Sequence, residues 1–362
     1  MKNLKITTFL KENENWRELL SKDPYNIKIK EDGDYILLKY DQIFSDFNNE
    51  IVRECRGIIF DKNYTPVCVP FFKFGNYGES YCDKIDWESA KVLEKIDGML
   101  IKVWYHNNTW HISTNGTIDA FKAEINHTFD DNESYFQTYG ELFMEAKKVC
   151  GLDFDKLNKN HTYMFELTSP FAKVVVQYED TKIYHIGTRD NTTLEELDEN
   201  IGIEKPQTYS FRSLEDCINT ARLMPYNQEG YVVVDKNWHR VKVKSTKYII
   251  VHRLKNNGEI NKNSLMVLIR ENETEEFLTY FTEYRPYVEE IKTKINKIFK
   301  EIESGIKILE QKQFANQKEF ALEVTKMKYS SFYFAWRKNK NLKPYEWFWS
   351  FDNSRLIELY KL

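Results

Sequence analysis

Long apolar runs are missing from this sequence: no stretch approaches the roughly 20 apolar residues that a membrane-spanning helix requires, and the start, Met1-Lys2-Asn3-Leu4-Lys5, leads into charged residues. A soluble, intracellular, cytoplasmic protein is expected. Paired cysteines are missing too. The chain has five cysteines, none in a CxxC arrangement, which argues against a disulfide framework and a zinc ribbon and favours buried thiols in a reducing compartment. The histidines show no HExxH pattern, and no glycine-rich GxxxxGK[ST] phosphate loop is present, so neither zincin chemistry nor P-loop nucleotide binding is indicated. Internal repeats and low-complexity tracts are also absent. A net charge of only −4 excludes a polycation that coats nucleic acid by charge alone, so any such contact must come from a local patch.

What is present is a chain of 362 residues, about two domains' worth. Residues 6–22 are expected to form one short helix ended by Pro24, with Phe9, Trp16, Leu19 and Leu20 on its apolar face. Alternation over Tyr25–Lys30 and Tyr35–Tyr40, around the turn at Glu31–Asp34, predicts a hairpin. Two strands follow between Ile51 and Phe74, the second delivering Lys73. A hairpin from Leu100 to Ser113 turns at His106-Asn107-Asn108, and Asp119–Cys150 reads as two helices. Strands resume at Thr162, and Lys173–Tyr178 with Lys182–Ile186 reads as a further hairpin. Residues 194–223 read as connecting and helical, and strands close this part at Glu229–Val234 and Arg240–Tyr248.

The stretch that organises these elements is Leu93-Glu94-Lys95-Ile96-Asp97-Gly98-Met99-Leu100, in which a lysine and an Asp-Gly pair stand between charged, helix-like sequence and a strand. Alone, the KxDG pattern also describes a surface lysine in a turn. As a nucleophile, Lys95 would need a neutral amine, favoured by desolvation or neighbouring cations. Three later stretches place charge at the edge of β-branched or aromatic runs: Tyr163-Met164-Phe165-Glu166, Glu229-Gly230-Tyr231-Val232-Val233-Val234 and Val241-Lys242-Val243-Lys244. On a strand, Lys242 and Lys244 point the same way, and two cations on one face suit a triphosphate.

This ordered set resembles the covalent nucleotidyltransferase superfamily of polynucleotide ligases and capping enzymes, most closely the RNA ligase 1-like family of the T-even phages, from about residue 35 to about residue 250. The resemblance implies adenylation of Lys95. It also implies nucleotide contacts by Arg56 of the Arg56-Gly57 pair, by Asp97, Gly98 and Gly230, and by Lys73 of a KFFN-like stretch in which Gly75 replaces an aromatic. Asn115 stands where the family often carries a basic residue before a glycine. Glu166 is associated with the ribose, and Glu229 with metal and catalysis. Either carboxylate offers the hard oxygen that magnesium, or manganese in its place, prefers. Lys242 and Lys244 would lower the proton affinity of Lys95 and neutralise the α-phosphate. Gly187–Asp190 falls where the superfamily has a nucleotide-facing loop, making Arg189 a candidate, with a surface salt bridge as the alternative.

The implied activity is ATP-dependent sealing of RNA with 5′-phosphate and 3′-hydroxyl ends through lysyl-AMP. A cleaved tRNA is an implied substrate, and a separate end-healing kinase/phosphatase an implied partner. The resemblance implies an adenylation domain of antiparallel sheets with flanking helices over residues 1–254. Beyond it the residue pattern reads as a smaller all-α domain over 255–362, expected to recognise the RNA, so that the architecture is α+β. The protein is expected to act as a monomer. Behind Pro286, the spacing of Val288, Ile291, Ile295, Ile298 and Ile302 predicts a long helix. Lys326, Lys328, Arg337, Lys338, Lys340 and Lys343 occur with no intervening acid, interleaved with Tyr329, Phe332, Tyr333, Phe334 and Trp336. That pattern suits either an RNA strand or a small core with a solvated face. A DNA ligase or a capping guanylyltransferase would be expected to continue into an OB fold after the lysine pair. A non-catalytic RNA-binding protein would not need Lys95, Glu166, Glu229, Lys242 and Lys244 together.

Overall fold

The computed structural model describes residues 4–125, 136–172, 175–253, 262–272, 274–280 and 282–362. They divide into two compact units, Met1–Lys255 and Asn256–Leu362. The architecture is α+β.

The first unit opens with α1 (Lys5–Glu12) and α2 (Trp16–Leu20), where one helix was expected. Asn13 separates them. Its backbone is extended, and its side-chain amide donates to the Phe9 carbonyl at 2.9 Å, an alternative to helix continuation typical of asparagine. Strands β1 (Ile27–Asp32) and β2 (Tyr35–Tyr40), helix α3 (Glu50–Glu54), and strands β3 (Arg56–Asp61) and β4 (Pro66–Cys68) follow. They form an antiparallel sheet in the order β1-β2-β3-β4. Ile36, Leu38, Ile58 and Phe60 pack against Leu10, Trp16 and Leu20 of the helices. On the opposite face, Leu37, Ile59 and Cys68 meet Trp104.

Strand β5 (Lys91–Glu94) directly precedes the nucleophile candidate, correcting the helix-like reading of that charged stretch. Its lysine reaches Asp198 at 3.0 Å while Val92 is buried, so charge sits outside a strand whose centre is core. Strands β6 (Met99–His106) and β7 (Thr109–Thr114) turn through Asn107 and Asn108. Both have positive φ, the requirement of a two-residue type I′ hairpin. Helix α4 (Tyr139–Cys150) is the one α-helix described between Asp119 and Cys150; residues 126–135 of the expected helical pair lie outside the described residues. Strands β8 (His161–Thr168), β9 (Lys182–Asp190) and β10 (Glu196–Leu197) complete a second sheet, in the order β10-β9-β8-β6-β7.

Of the expected strand at Lys173–Tyr178, Lys173 and Val174 lie outside the described residues, and 175–178 are irregular rather than strand. Strand β11 (Thr208–Tyr209), helix α5 (Leu214–Leu223), strands β12 (Gly230–Val234) and β13 (Arg240–Lys244), and helix α6 (Thr246–Arg253) finish the unit. The third sheet has the order β11-β5-β12-β13, with Cys217, Ile218 and Ala221 of α5 packed on Tyr231, Val233, Val241 and Val243.

In the second unit the described residues form helices: α7 (Lys262–Arg270), α8 (Thr274–Tyr280), α9 (Arg285–Glu310), α10 (Gln317–Val324), α11 (Ser330–Lys338), α12 (Pro344–Phe348) and α13 (Asn353–Tyr360). All five apolar positions expected on α9 are buried. Phe332, Tyr333 and Trp336 are buried as well, so these rings of the basic-aromatic stretch are core. Its charges find local partners: Lys328 pairs with Glu301 at 2.9 Å, Arg337 lies over Phe320 and Lys340 over Trp336.

Gly305 of α9 faces Tyr333 so closely that a Cβ there would lie 1.9 Å from the phenolic oxygen. Gly305→Ala is therefore expected to destabilise the second unit by roughly 1–3 kcal/mol through overpacking, read as a lower urea midpoint for its helical transition.

Candidate active site

Lys95 stands at the exit of β5, held at both ends by consecutive residues. Its backbone N–H donates to the Gly230 carbonyl at 2.9 Å, and its amine donates to Glu229 Oε2 at 2.9 Å. Glu229 is buried and lies 3.7 Å from the Lys244 amine. It is fixed in turn by its own carbonyl, which accepts the Ser245 N–H. Gly230 has φ +134, and a Cβ there would lie 2.2 Å from the Val243 carbonyl oxygen. Glycine at this position permits β12 and β13 to pair where they carry Glu229 and Lys244.

Alternation along β13 puts Lys242 and Lys244 on one face. Burial, followed by the like charges of Lys73, Lys244 and Arg56, pushes the Lys242 amine well below its ordinary pKa. Its Nζ lies 4.9 Å from the centre of the Phe74 ring, and the Arg56 guanidinium approaches the same ring at 5.6 Å. Gly75 has a different role from the aromatic expected at its position. Its carbonyl accepts the Lys242 N–H at 3.0 Å, and a Cβ would crowd Cys82 at 2.8 Å, so the backbone can lie along β13. Lys73 is buried with its amine among Tyr40, Phe47 and Tyr81, 5.3, 4.7 and 6.0 Å from the ring centres.

Glu166, on β8, completes the centre. Burial pushes its carboxyl up to about 7; Glu229 and Asp97 act in the same direction, while Lys95 and Arg56 oppose it. Gly98 lets β8 come this close, since a Cβ there would lie 2.4 Å from the Leu167 carbonyl oxygen and 3.1 Å from Glu166 Cγ. Asp97 points into protein: Oδ2 accepts the N–H groups of Val175 and Val176 at 2.9 and 2.7 Å, and Oδ1 accepts the Tyr248 hydroxyl at 2.7 Å. It fixes the loop that carries Lys95. On the Arg56 side, Gly57 has φ +77 and abuts the Asn115 backbone, and the buried amine of Lys102 donates to the Gly57 carbonyl. Burial pushes that amine down to about 8. One guanidinium nitrogen of Arg56 and the Asn115 side-chain oxygen are buried without a hydrogen-bond partner, a costly condition that a bound ligand would relieve.

Arg189 goes elsewhere. It lies within β9 rather than on a loop, ion-paired to Glu196 at 2.7 Å, donating to the Leu194 carbonyl and stacked on Phe72. Glu196 also pairs with Arg240 at 2.6 Å, so the salt-bridge alternative holds, in buried form. Lys102, Phe74 and Tyr248 escaped the sequence reading. Only Lys102, a lone charge in an apolar strand, left a signal there. Among the described residues no group of three or more His, Cys, Asp or Glu side chains could hold a metal. Glu166 and Glu229 thus fit a divalent cation only if phosphate oxygens and water supply the remaining ligands, the usual pattern for magnesium.

Residues 54–248 match the family model described as RNA ligase. A protein of Autographa californica nuclear polyhedrosis virus, described as a bifunctional polynucleotide kinase/RNA ligase, is 30% identical over 320 residues. That match covers 82% of this chain and 45% of the viral protein, so the chain spans less than half of that relative. An RNA ligase of Rhodothermus phage RM378 is 25% identical over 383 aligned positions, covering 85% of this chain and 86% of the phage protein. Among solved structures, an archaeal ATP-dependent RNA ligase is similar with a TM-score of 0.45 and 11% identity, covering 81% of this chain and 83% of that one.

The Glu166 carboxyl has a direct pH signature. Between pH 4.5, its ordinary value, and about 7, the folded protein retains a proton that the unfolded chain releases. Its contribution to stability is fully present below 4.5 and is lost as pH rises through 7. Glu166→Gln should remove this component, flattening the pH dependence of the melting temperature over that window by the equivalent of roughly 1–3 kcal/mol.

Proposed function

Because the chain belongs to the RNA ligase family, we propose that it is an ATP-dependent RNA ligase that joins 5′-phosphate and 3′-hydroxyl ends through an AMP carried on Lys95. The observation that carries this reading is the Lys95 amine, 2.9 Å from Glu229, beside Lys244 and near Lys242, which share a face of β13, while Arg56 acts on Lys242 from β3 of a different sheet.

In the resting geometry the amine is one half of an ion pair, and Glu229 is placed to accept its proton as the pair opens. The freed lone pair attacks the α-phosphorus of ATP, a P–N bond forms and pyrophosphate leaves. Lys242 and Lys244 face the charge that builds on the phosphates, and fixed cations in a site closed to water are effective there. Glu166, whose carboxyl is pushed up to about 7 and so shares its time between the two protonation states at neutrality, suits a hydrogen bond to a ribose hydroxyl. Its reluctance to ionise leaves Glu229 the stronger ligand for magnesium or manganese. A bound divalent cation would supply charge neutralisation at the phosphates.

A 5′-phosphate oxygen of RNA then attacks the adenylyl phosphorus, breaking the P–N bond and returning the lysine. Attack by the 3′-hydroxyl expels AMP and closes the strand. Arg56, with its unpartnered nitrogen, is suited to hold a phosphate in either step. The substrate is RNA with a 5′-phosphate and a 3′-hydroxyl, cleaved tRNA among the candidates. With no P-loop in these residues, the 5′-phosphate has to come from a kinase activity outside them. The cytoplasm, the host's if the source is viral, is the setting this chemistry needs, and the protein acts as a monomer. The helical second unit gauges the RNA, its charged faces rather than its buried rings making the contact.

Intact-protein mass spectrometry after incubation with magnesium and ATP should show a gain of one AMP that Lys95→Ala abolishes; a variant that still labels would sink the assignment. GTP in place of ATP should give no adduct, whereas labelling by GTP alone would favour capping chemistry. Removing residues 256–362 should spare labelling but impair sealing of a structured RNA. Unchanged sealing would take the second unit out of substrate recognition.

A further inference from the structure

The sheet beneath the reaction centre carries a row of like charges of which the chemistry above uses only the innermost, Arg56. Lys28 on β1 pairs directly with Lys39 on β2, and Lys39 pairs directly with Arg56 on β3. Directly paired residues project from the same face of a sheet, and like charges placed opposite one another destabilise it. Lys28 is relieved by Asp41 at 2.7 Å. The Lys39 side chain makes no hydrogen bond or ion pair among the described residues; the groups that act on its amine are Tyr40, which favours its charge, and Lys28, Lys30 and Arg56, which oppose it. Burial, together with those cations, holds its amine below the usual lysine range.

Lysines on an edge strand have a general explanation, since they discourage pairing with other chains, and β1 is an edge. That explanation does not reach Lys39, because β2 is paired on both sides. Its amine lies against Gly116, where a Cβ would sit 3.3 Å from Lys39 Nζ. Next to Gly116 stands Asn115, whose buried oxygen has no partner, and at the inner end of the row stands Arg56 with its unpartnered nitrogen.

We propose that Lys28, Lys39 and Arg56 form the track along which the phosphates of an RNA strand enter the reaction centre, with Lys39 as the middle contact. This rests on the ligase reading for the identity of the centre. Two inter-strand spacings span roughly 10 Å, a length over which a nucleic-acid strand presents at least two phosphates. The outermost member, Lys28, has a side chain 66% exposed. A cation so far out serves a ligand long enough to leave the pocket, which a polynucleotide is and ATP is not.

The test is the salt dependence of binding to a 5′-phosphorylated single-stranded RNA, read by fluorescence anisotropy, for wild type, Lys39→Met and Lys39→Arg. Loss of one phosphate contact should make the slope of log K against log salt shallower by about 0.7 in Lys39→Met, and Lys39→Arg should restore it. In the same variant, kcat/KM for RNA sealing should fall about tenfold further than labelling by ATP does. An unchanged slope, or a loss in labelling equal to the loss in sealing, would overturn the track. Should Lys39→Met not fold, the exposed Lys28→Gln reads the same slope. Failure of the wild type to take up AMP would strike at the ligase reading instead, while the slope would still report on the row.

Discussion

Two neighbouring residues, Glu229 and Gly230, hold the two ends of Lys95, one by its amine and the other by its backbone N–H. The rest of the first unit can be understood from that clamp. It requires β12 to lie beside β5, which the antiparallel register from Tyr231 opposite Glu94 to Val234 opposite Lys91 provides. It requires β13 to approach without a side chain in the way, hence the glycine at 230. It also places a buried carboxylate where its charge must be balanced, and Lys95 and Lys244 balance it. A buried acid with one partner removed is costly, so the nucleophile is part of what keeps the centre assembled.

The second tier consists of cations that outnumber the acids around them. Arg56 lies within electrostatic reach of Glu166, Lys242, Lys39 and Lys102, and the positive groups there outnumber the negative. Burial of Lys102, Lys242 and Lys73 costs free energy that the apolar packing of three sheets offsets. On the ligase reading proposed above, the missing negative charge arrives with the substrate: ATP carries a triphosphate, and RNA carries a phosphate at each residue.

The sequence made the central residues legible because strand alternation and motif order both point at them. Lys95, Glu166, Glu229, Lys242 and Arg56 come together from three strands and the ends of two more, and the alternation that puts Lys242 and Lys244 on one face follows from the strand alone. Other parts were hidden for identifiable reasons. Lys91–Glu94 looks helical because three of its neighbours are charged, and only pairing on both sides makes it a strand. Arg189 was misplaced because a loop was assumed where β9 continues, and no local pattern announces Glu196 as its partner. The part played by Lys39 depends on a cross-strand register linking residues 28, 39 and 56, which sequence spacing does not encode. In the second unit, a pattern of rings and charges is the same whether it is core or contact surface, and burial of Phe332, Tyr333 and Trp336 decided it.

Asp97 joins three distant parts of the chain through one carboxylate: the loop bearing Lys95, the backbone at 175–176, and Tyr248 on α6. Tyr248 is the last residue of the family match and lies in the helix from which the chain leaves the first unit. A displacement of α6 would therefore pull on the carboxylate two residues from Lys95. The connection works like a bell wire, with its handle at the end of the first unit and its clapper in the loop that bears the Lys95 amine.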